Sequence, residues 1–487
     1  MRSHRALFAA VGLVLFGQGC GQSSDGGADS DGGSGGSVNH AQAGASARAG
    51  SNASGGAAGA HETTNAGVGG TSSGAGTGAT AGAAGRGTAG SASGGGTAVG
   101  GATSSGGAAG RGGAAGGTTA GGTAGISGAA AGGSSPGGAG GGGGALNNDG
   151  PCPVPSYIAS DAKPIGWASQ GSSTTGGGTA TPILVTTLAQ FKTEVAGTAA
   201  KVIYVKGEFS ADSISFGSNK TVIGCSSGAK LQGHLGLGSS SSNVILRNLK
   251  ISGYGVGDCT KDPSFDASTG CSSGADAISV NGSAHHVWID HCLIMDGTDG
   301  NLDITNNADF VTVSWTKFAY TPRTDKVGDD STGDAGHRFS NLVGGSDSEP
   351  SGWPGTRPLN VTWHHNWWAD NVVERQPRVR YGRNHLFNNY YNSSTSNYCV
   401  RAGIEASILL EGNAFEGVKS PHQFNSTDNE ETAYIELGGG DRVNSYTSTT
   451  GDQAKDGGGS PFTPPYTYQV TSASAVAAAV KAGAGPH

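Results

Sequence analysis

The sequence predicts an all-β fold, a parallel β-helix solenoid, carried behind a long glycine-rich tether. Three observations lead there. A short apolar motif recurs, at its closest, every 23 or 24 residues; polar residues fall in a column when its copies are stacked; and every Phe, Tyr and Trp except Phe8 and Phe16 lies after Pro151.

The tether comes first in the chain. Residues 21–150 hold 48 of the 92 glycines, interleaved with Ala, Ser and Thr, and contain no Phe, Tyr or Trp. Such a segment buries too little apolar surface to offset its conformational entropy, so a disordered linker is expected over 21–150. One folded domain, residues 151–487, remains, and it is long enough for a large core.

Residues 1–20 read as an export signal. "MRSHR" is a basic start, and "ALFAAVGLVLFG" is an apolar run too short to span a bilayer. A plain signal peptide fits. So does a lipoprotein signal, because "FGQGC" resembles a lipobox, although Gly17 stands where an aliphatic residue is usual. A tether directly after Cys20 suits a surface-anchored protein, which favours a lipid on Cys20 and a secreted or cell-surface (outer-membrane lipoprotein) location. Beyond such a lipid, no membrane contact is expected.

Six further cysteines in an exported domain suit disulfides, and none has zinc-site spacing. Cys259 and Cys271 bracket "CTKDPSFDASTGC" and are the best candidate pair. The formal charge of −8, with no sustained basic run, argues against nucleic acid as a partner.

The repeats are "VILRNLKI" (244–251), "VWIDHCLI" (287–294), "VTVSWTKF" (311–318), "VTWHHNWW" (361–368), "HLFNNYY" (385–391) and "ILLEGNAF" (408–415). Stacked, they are expected to place Asn248, Cys292, Thr316, Asn366, Asn389 and Asn413 in one column, with Cys225 in line before them. β-rich repeats of this length fit solenoid coils stacked roughly 4.8 Å apart. Stacked amides then bond to one another and to turn backbone. An all-β sandwich with even strand spacing is the alternative, but it gives no reason for Asn at corresponding turns. Cys225 and Cys292 lie two coils apart, too far for a disulfide.

Three aspartates stand out in "GADAISVNGSAHHVWIDHCLIMDGTDGNLDI" (274–304): Asp276 at a strand start, and Asp299 and Asp303 flanking the next turn. On successive coils they can converge, and converging carboxylates repel unless a hard cation binds them. Oxygen-only ligands favour Ca²⁺. Taken singly, each would be a solvated turn residue. Asp290, in an apolar strand beside His291, reads as structural. A cationic stretch follows in "ERQPRVRYG" (374–382), with Arg375, Arg378 and Arg380. Pro377 interrupts regular pairing, so Arg375 can precede a strand on which Arg378 and Arg380 share a face.

In order, "VWIDHC", "DGNLDI", "VTVSW", "VTWHHNWW", "RQPRVRYG" and "HLFNNYY" resemble the polysaccharide lyase family 1 pectate lyases, and "GWASQGSSTTGGG" (166–178) resembles their opening segment. The likeness covers nearly all of 152–487. It implies a right-handed parallel β-helix that cleaves polygalacturonate by Ca²⁺-dependent β-elimination, leaving an unsaturated product; a monomer is expected. Position by position, Asp276, Asp299 and Asp303 match the family's calcium ligands, Arg375 its base and Arg380 a substrate-binding arginine. His291, His364 and His365 match positions read as packing inside the coils.

The chain departs from the family at two places. Gly274 stands where some members carry a further calcium aspartate, which would weaken a second cation. "HRFSNLVGG" (337–345) puts Phe339 where a substrate-binding lysine is expected; Arg338 beside it, or Lys326 from the preceding loop, could supply that charge.

A polyanionic substrate answers the arginines, because an acidic domain must meet it through local cations. The C5 proton of a uronate becomes acidic once its carboxylate is neutralised, a task for Ca²⁺ and Arg380, while Arg375 would remove the proton. Free guanidinium titrates above 12, so only crowding by cations would let it act as base, and an alkaline optimum would follow. Three rivals remain open. A pectin lyase on methyl-esterified chains needs no calcium aspartates. A polygalacturonase could use Asp329–Asp330, though no accompanying "NTD" or "RIK" is present. A non-catalytic binding module would have no use for Arg375.

Overall fold

The computed structural model describes residues 146–147, 150–161, 163–254, 259–266, 274–322, 337–347, 349, 358–425 and 432–487. Residues 1–20 with Cys20, nearly all of 21–150, and Cys271, Lys326 and Asp329–Asp330 lie outside the described residues, so the export-signal and linker expectations fall there. Leu146–Asn147 pairs antiparallel with Val154–Pro155, so β structure is present a few residues ahead of the expected boundary at 151.

The central coils each contribute three short strands, which pair in parallel with their counterparts on neighbouring coils, while strands such as Lys220–Leu237 and Arg378–Phe387 run on through more than one side. Leu302–Ile304 lies between Ile278–Val280 and Asn341–Val343. On another side, Asp309–Ser314 lies between His285–Asp290 and Val361–His364. On a third, Leu293–Met295 lies between Lys250–Ser252 and Lys317–Ala319. This is a parallel β-helix, as the period and the polar column predict.

The coils enclose Val, Ile, Leu and aromatic side chains in one continuous core. Repetition also stacks like on like. Phe318 faces Trp368 (ring centroids 5.3 Å), Trp368 faces Tyr391 (4.7 Å), and Tyr391 faces Phe415 (4.4 Å). The helix Leu188–Val195, capped by the Thr187 hydroxyl accepting from the Gln190 amide, buries Phe191 and Val195 in that core. The helix Ala473–Gly483 lays Val476 and Val480 against Tyr390 and Ala414.

The polar column forms with one correction. The Thr316 amide donates to Asn366 Oδ1 (3.0 Å), Asn366 to Asn389 (2.9 Å), Asn389 to Asn413 (2.9 Å) and Asn413 to Asn444 (2.8 Å). Cys292 begins it through Thr316 Oγ1. Asn248 does not belong, because Val244 aligns with Val287 and so sets Asn248 beside His291. It stands instead in an adjacent column of left-handed turns with His291, Trp315, His365 and Asn388, all at positive φ. There the Asn248 amide nitrogen donates to the Gly224 carbonyl.

That turn column also relocates two histidines. His291 stacks on Tyr157 (3.7 Å) and His365 on Trp315 (4.3 Å), so they pack at the turns and not inside the coils. Asp290 is structural, as expected. It accepts from Arg247 Nε (2.8 Å) and Ser314 Oγ (2.6 Å), and its Oδ2 lies 2.8 Å from His291 Nδ1. Burial would raise its pKa, but the charges of His291 and Arg247 win and hold it well below the carboxylate range.

Cys152 and Cys225 form a disulfide. Cys292 and Cys399 are free and buried, consistent with the two-coil separation argued for Cys225 and Cys292. The Cys259–Cys271 expectation falls on Cys271, outside the described residues.

Candidate active site

The strand Leu302–Ile304 carries Asp303 at its centre, with Ser279 opposite on one neighbouring coil and Leu342 on the other. Asp276 leads into the preceding coil's strand, and Ser279 Oγ donates to its Oδ2 (2.6 Å). Asp299 occupies the turn before Asp303. The fold brings the three together: one carboxylate oxygen from each lies within 4.8 Å of the others.

The electrostatics of this cluster are unfavourable by themselves. Burial, then the Asp299 charge, pushes Asp276 up to about 7. Burial, with the charges of Asp276 and Asp299, pushes Asp303 well above its usual range. Asp276 Oδ1 is buried with no hydrogen-bond partner. A Cβ on Gly300 would sit 2.8 Å from Asp303 Oδ1 and 3.0 Å from Asp276 Oδ1, so the glycine keeps a cradle open between them. An orphaned buried oxygen, an open cradle and an all-carboxylate donor set fit a hard divalent cation.

Two neighbours complete the surroundings. His337 Nε2 lies 2.9 Å from Asp299 Oδ1. Asp262, a residue that motif reading passed over, is buried and accepts the Ala275 amide on Oδ2 (3.0 Å). A Cβ on Gly274 would meet that same oxygen at 3.0 Å and Thr298 Cγ2 at 2.1 Å. The place of the missing Gly274 side chain is therefore filled by Thr298 and bordered by the Asp262 carboxylate.

Arg375 stands beside the aspartates. It has a left-handed backbone (φ 58°) just ahead of the strand Arg378–Phe387, and its carbonyl accepts from the Asn341 amide (2.7 Å). Its charge lowers the pKa of both Asp276 and Asp303. Its guanidinium carbon lies 4.7 Å from the Phe339 ring centroid. Arg378 opens the strand opposite Leu342 and Arg401.

Arg380 is held from another direction: Nε donates to Asp347 Oδ1 (2.8 Å) and Nη1 to the Gly344 carbonyl (3.0 Å). Neither Glu374 nor a cluster aspartate is its partner in these bonds. Arg338 is buried and its carbonyl accepts from the Val373 amide, while Phe339 takes the more exposed place and pairs with Glu374 on the next coil.

A family model described as pectate lyase matches residues 155–487. A pectate trisaccharide-lyase from Thermotoga maritima is 31% identical over 255 residues, covering 51% of this chain and 60% of its own. A pectate lyase A from Aspergillus niger is 34% identical over 273 residues, covering 54% and 72%. The chain thus spans about three fifths of the length of the first of these relatives. The crystal structure of a pectate lyase from Bacillus sp. N165 in complex with trigalacturonate superposes with TM-score 0.50 and 24% identity, over 66% of this chain and 98% of that one. At that identity the likeness speaks to the fold.

Proposed function

The chain belongs to the pectate lyase family, and on that premise we propose that it cleaves polygalacturonate by calcium-dependent β-elimination. The observation that carries the reading is the convergence of Asp276, Asp299 and Asp303 beside Arg375. Asp276, Asp299 and Asp303 would hold Ca²⁺. When bound, the ion supplies positive charge that makes the C5 proton of a neighbouring uronate more acidic.

The chain's own groups do the rest. Arg375, ahead of its strand, removes the C5 proton. The electron pair forms the C4–C5 double bond, the C4–O bond breaks, and the leaving oxygen takes a proton from water. A guanidine accepts a proton only from its neutral form, so turnover rises into the alkaline range. Arg380, on the strand Arg378–Phe387 and paired with the exposed Asp347, would bind a uronate carboxylate once that aspartate yields it.

The carboxylate cluster favours this reading over a calcium-independent pectin lyase, which has no need of it. Polygalacturonate cleavage outside the cytoplasm, by a monomer with a lipid on Cys20, completes the proposal. The Cys152–Cys225 disulfide supports the oxidising compartment. The test is near-UV absorbance of unsaturated product on polygalacturonate. Chelator should abolish it and added Ca²⁺ restore it; undiminished activity in chelator would overturn the metal requirement.

A further inference from the structure

The wall beside Arg375 is aromatic where the substrate is anionic. Phe339 is only partly buried and carries the Arg375 guanidinium over its ring. Its ring also meets that of His337 (centroids 4.1 Å), which in turn contacts Asp299. The backbone fixes the ring in place: Phe339 bridges Glu374 on the next coil, and its carbonyl accepts from the Tyr320 hydroxyl (2.6 Å). Phe339 therefore borders both the arginine and, through His337, the carboxylate cluster, beside the place a sugar touching both would occupy.

An ionised uronate placed against an uncharged ring gives up hydration and gains no charged partner from the ring itself, unlike one placed against a lysine. A methyl ester in the same place buries its methyl group and gives up no charge. Sugar C–H faces also pack well on aromatic rings. We propose that Phe339 is a specificity-determining residue that seats a methyl-esterified galacturonate beside the ionised one at the aspartate cluster, so that partly esterified pectin is the preferred substrate. This rests on the lyase reading above.

The test compares kcat/KM, from unsaturated-product absorbance at saturating Ca²⁺, on polygalacturonate and on pectins of graded methyl esterification. Phe339→Lys should lower the ratio of esterified to unesterified turnover by roughly tenfold or more, because it exchanges apolar area for a cation. Phe339→Leu, which stays apolar but cannot hold a cation over a ring, should keep the ratio within about twofold of the parent. Should the lysine variant melt early, Phe339→Gln makes the same comparison without added charge and should lower the ratio by roughly threefold. An unchanged ratio in the folded lysine or glutamine variant overturns the proposal. So does an equal fall in Phe339→Leu, which would assign the ring to holding Arg375 alone. No unsaturated product from either polymer with the parent protein would overturn the lyase reading and this proposal with it.

Discussion

Replacing Asp303 by asparagine should stabilise the metal-free protein and remove its response to calcium. Asp303 is 6% exposed, and the three carboxylates lie within 4.8 Å of one another. At an effective dielectric of about 20, each ionised pair at that distance repels by about 3 kcal/mol. Protonation already relieves part of this, since Asp276 is pushed up to about 7. Asparagine keeps an oxygen for the Leu342 amide and offers a donor to the orphaned Asp276 Oδ1. The net gain is on the order of 1–3 kcal/mol. A domain of about 330 residues unfolds with roughly 0.7 kcal/mol/K of entropy, so the metal-free Tm should rise by roughly 1–4 °C at pH 8.

The sign follows the titration. With folded pKa values raised, the wild-type cluster contributes stability at low pH and loses it as pH climbs from the ordinary carboxylate range through about 7. The variant's advantage should therefore fade below pH 5. Calcium at a hundredfold excess over its Kd should raise the wild-type Tm by about 4 °C, corresponding to about 2.7 kcal/mol, and the variant's by little. Differential scanning calorimetry with and without chelator reads both effects. A metal-free variant that melts below wild type at pH 8, or a full calcium shift in the variant, would refute the cluster as a cation site.

Arg375→Lys should cut kcat by at least a hundredfold while moving Tm by less than about 2 °C, because lysine keeps the charge but not the proton-acceptor geometry; near-parental turnover would make Arg375 a clamp. Asn389→Ala removes the acceptor of the Asn366 amide and the donor to the Trp363 carbonyl and Asn413 Oδ1. It should cost about 2–4 kcal/mol, or roughly 3–6 °C in Tm, and leave kcat within about twofold.

Periodicity made the coils legible because each coil repeats one physical problem: bury an apolar strand, then satisfy a turn. Asn366, Asn389 and Asn413 solve it identically and so align by sequence alone. Asn248 misled because it answers the neighbouring turn position, where only the backbone register separates the two columns. Asn444 escaped because 31 residues separate it from Asn413, beyond the short interval. The aspartates were readable because adjacent coils place adjacent motifs side by side. Asp262 reaches the same place from a turn with no motif, and Cys152 meets Cys225 across 73 residues. Contacts of that kind are set by the packing of segments outside the repeat. The Arg380–Asp347 pair is similar, because a loop of unconstrained length brings the aspartate in.

Digestion of polygalacturonate in ¹⁸O-labelled water, followed by mass spectrometry of the oligouronides, tests the central claim most directly. Elimination adds no water across the broken bond. Each cut should therefore yield one new end that carries a C4–C5 double bond, lacks the elements of water and contains no label, with Asp303→Asn and chelated samples giving no cuts. Saturated products carrying one ¹⁸O per cut would show hydrolysis and contradict the account.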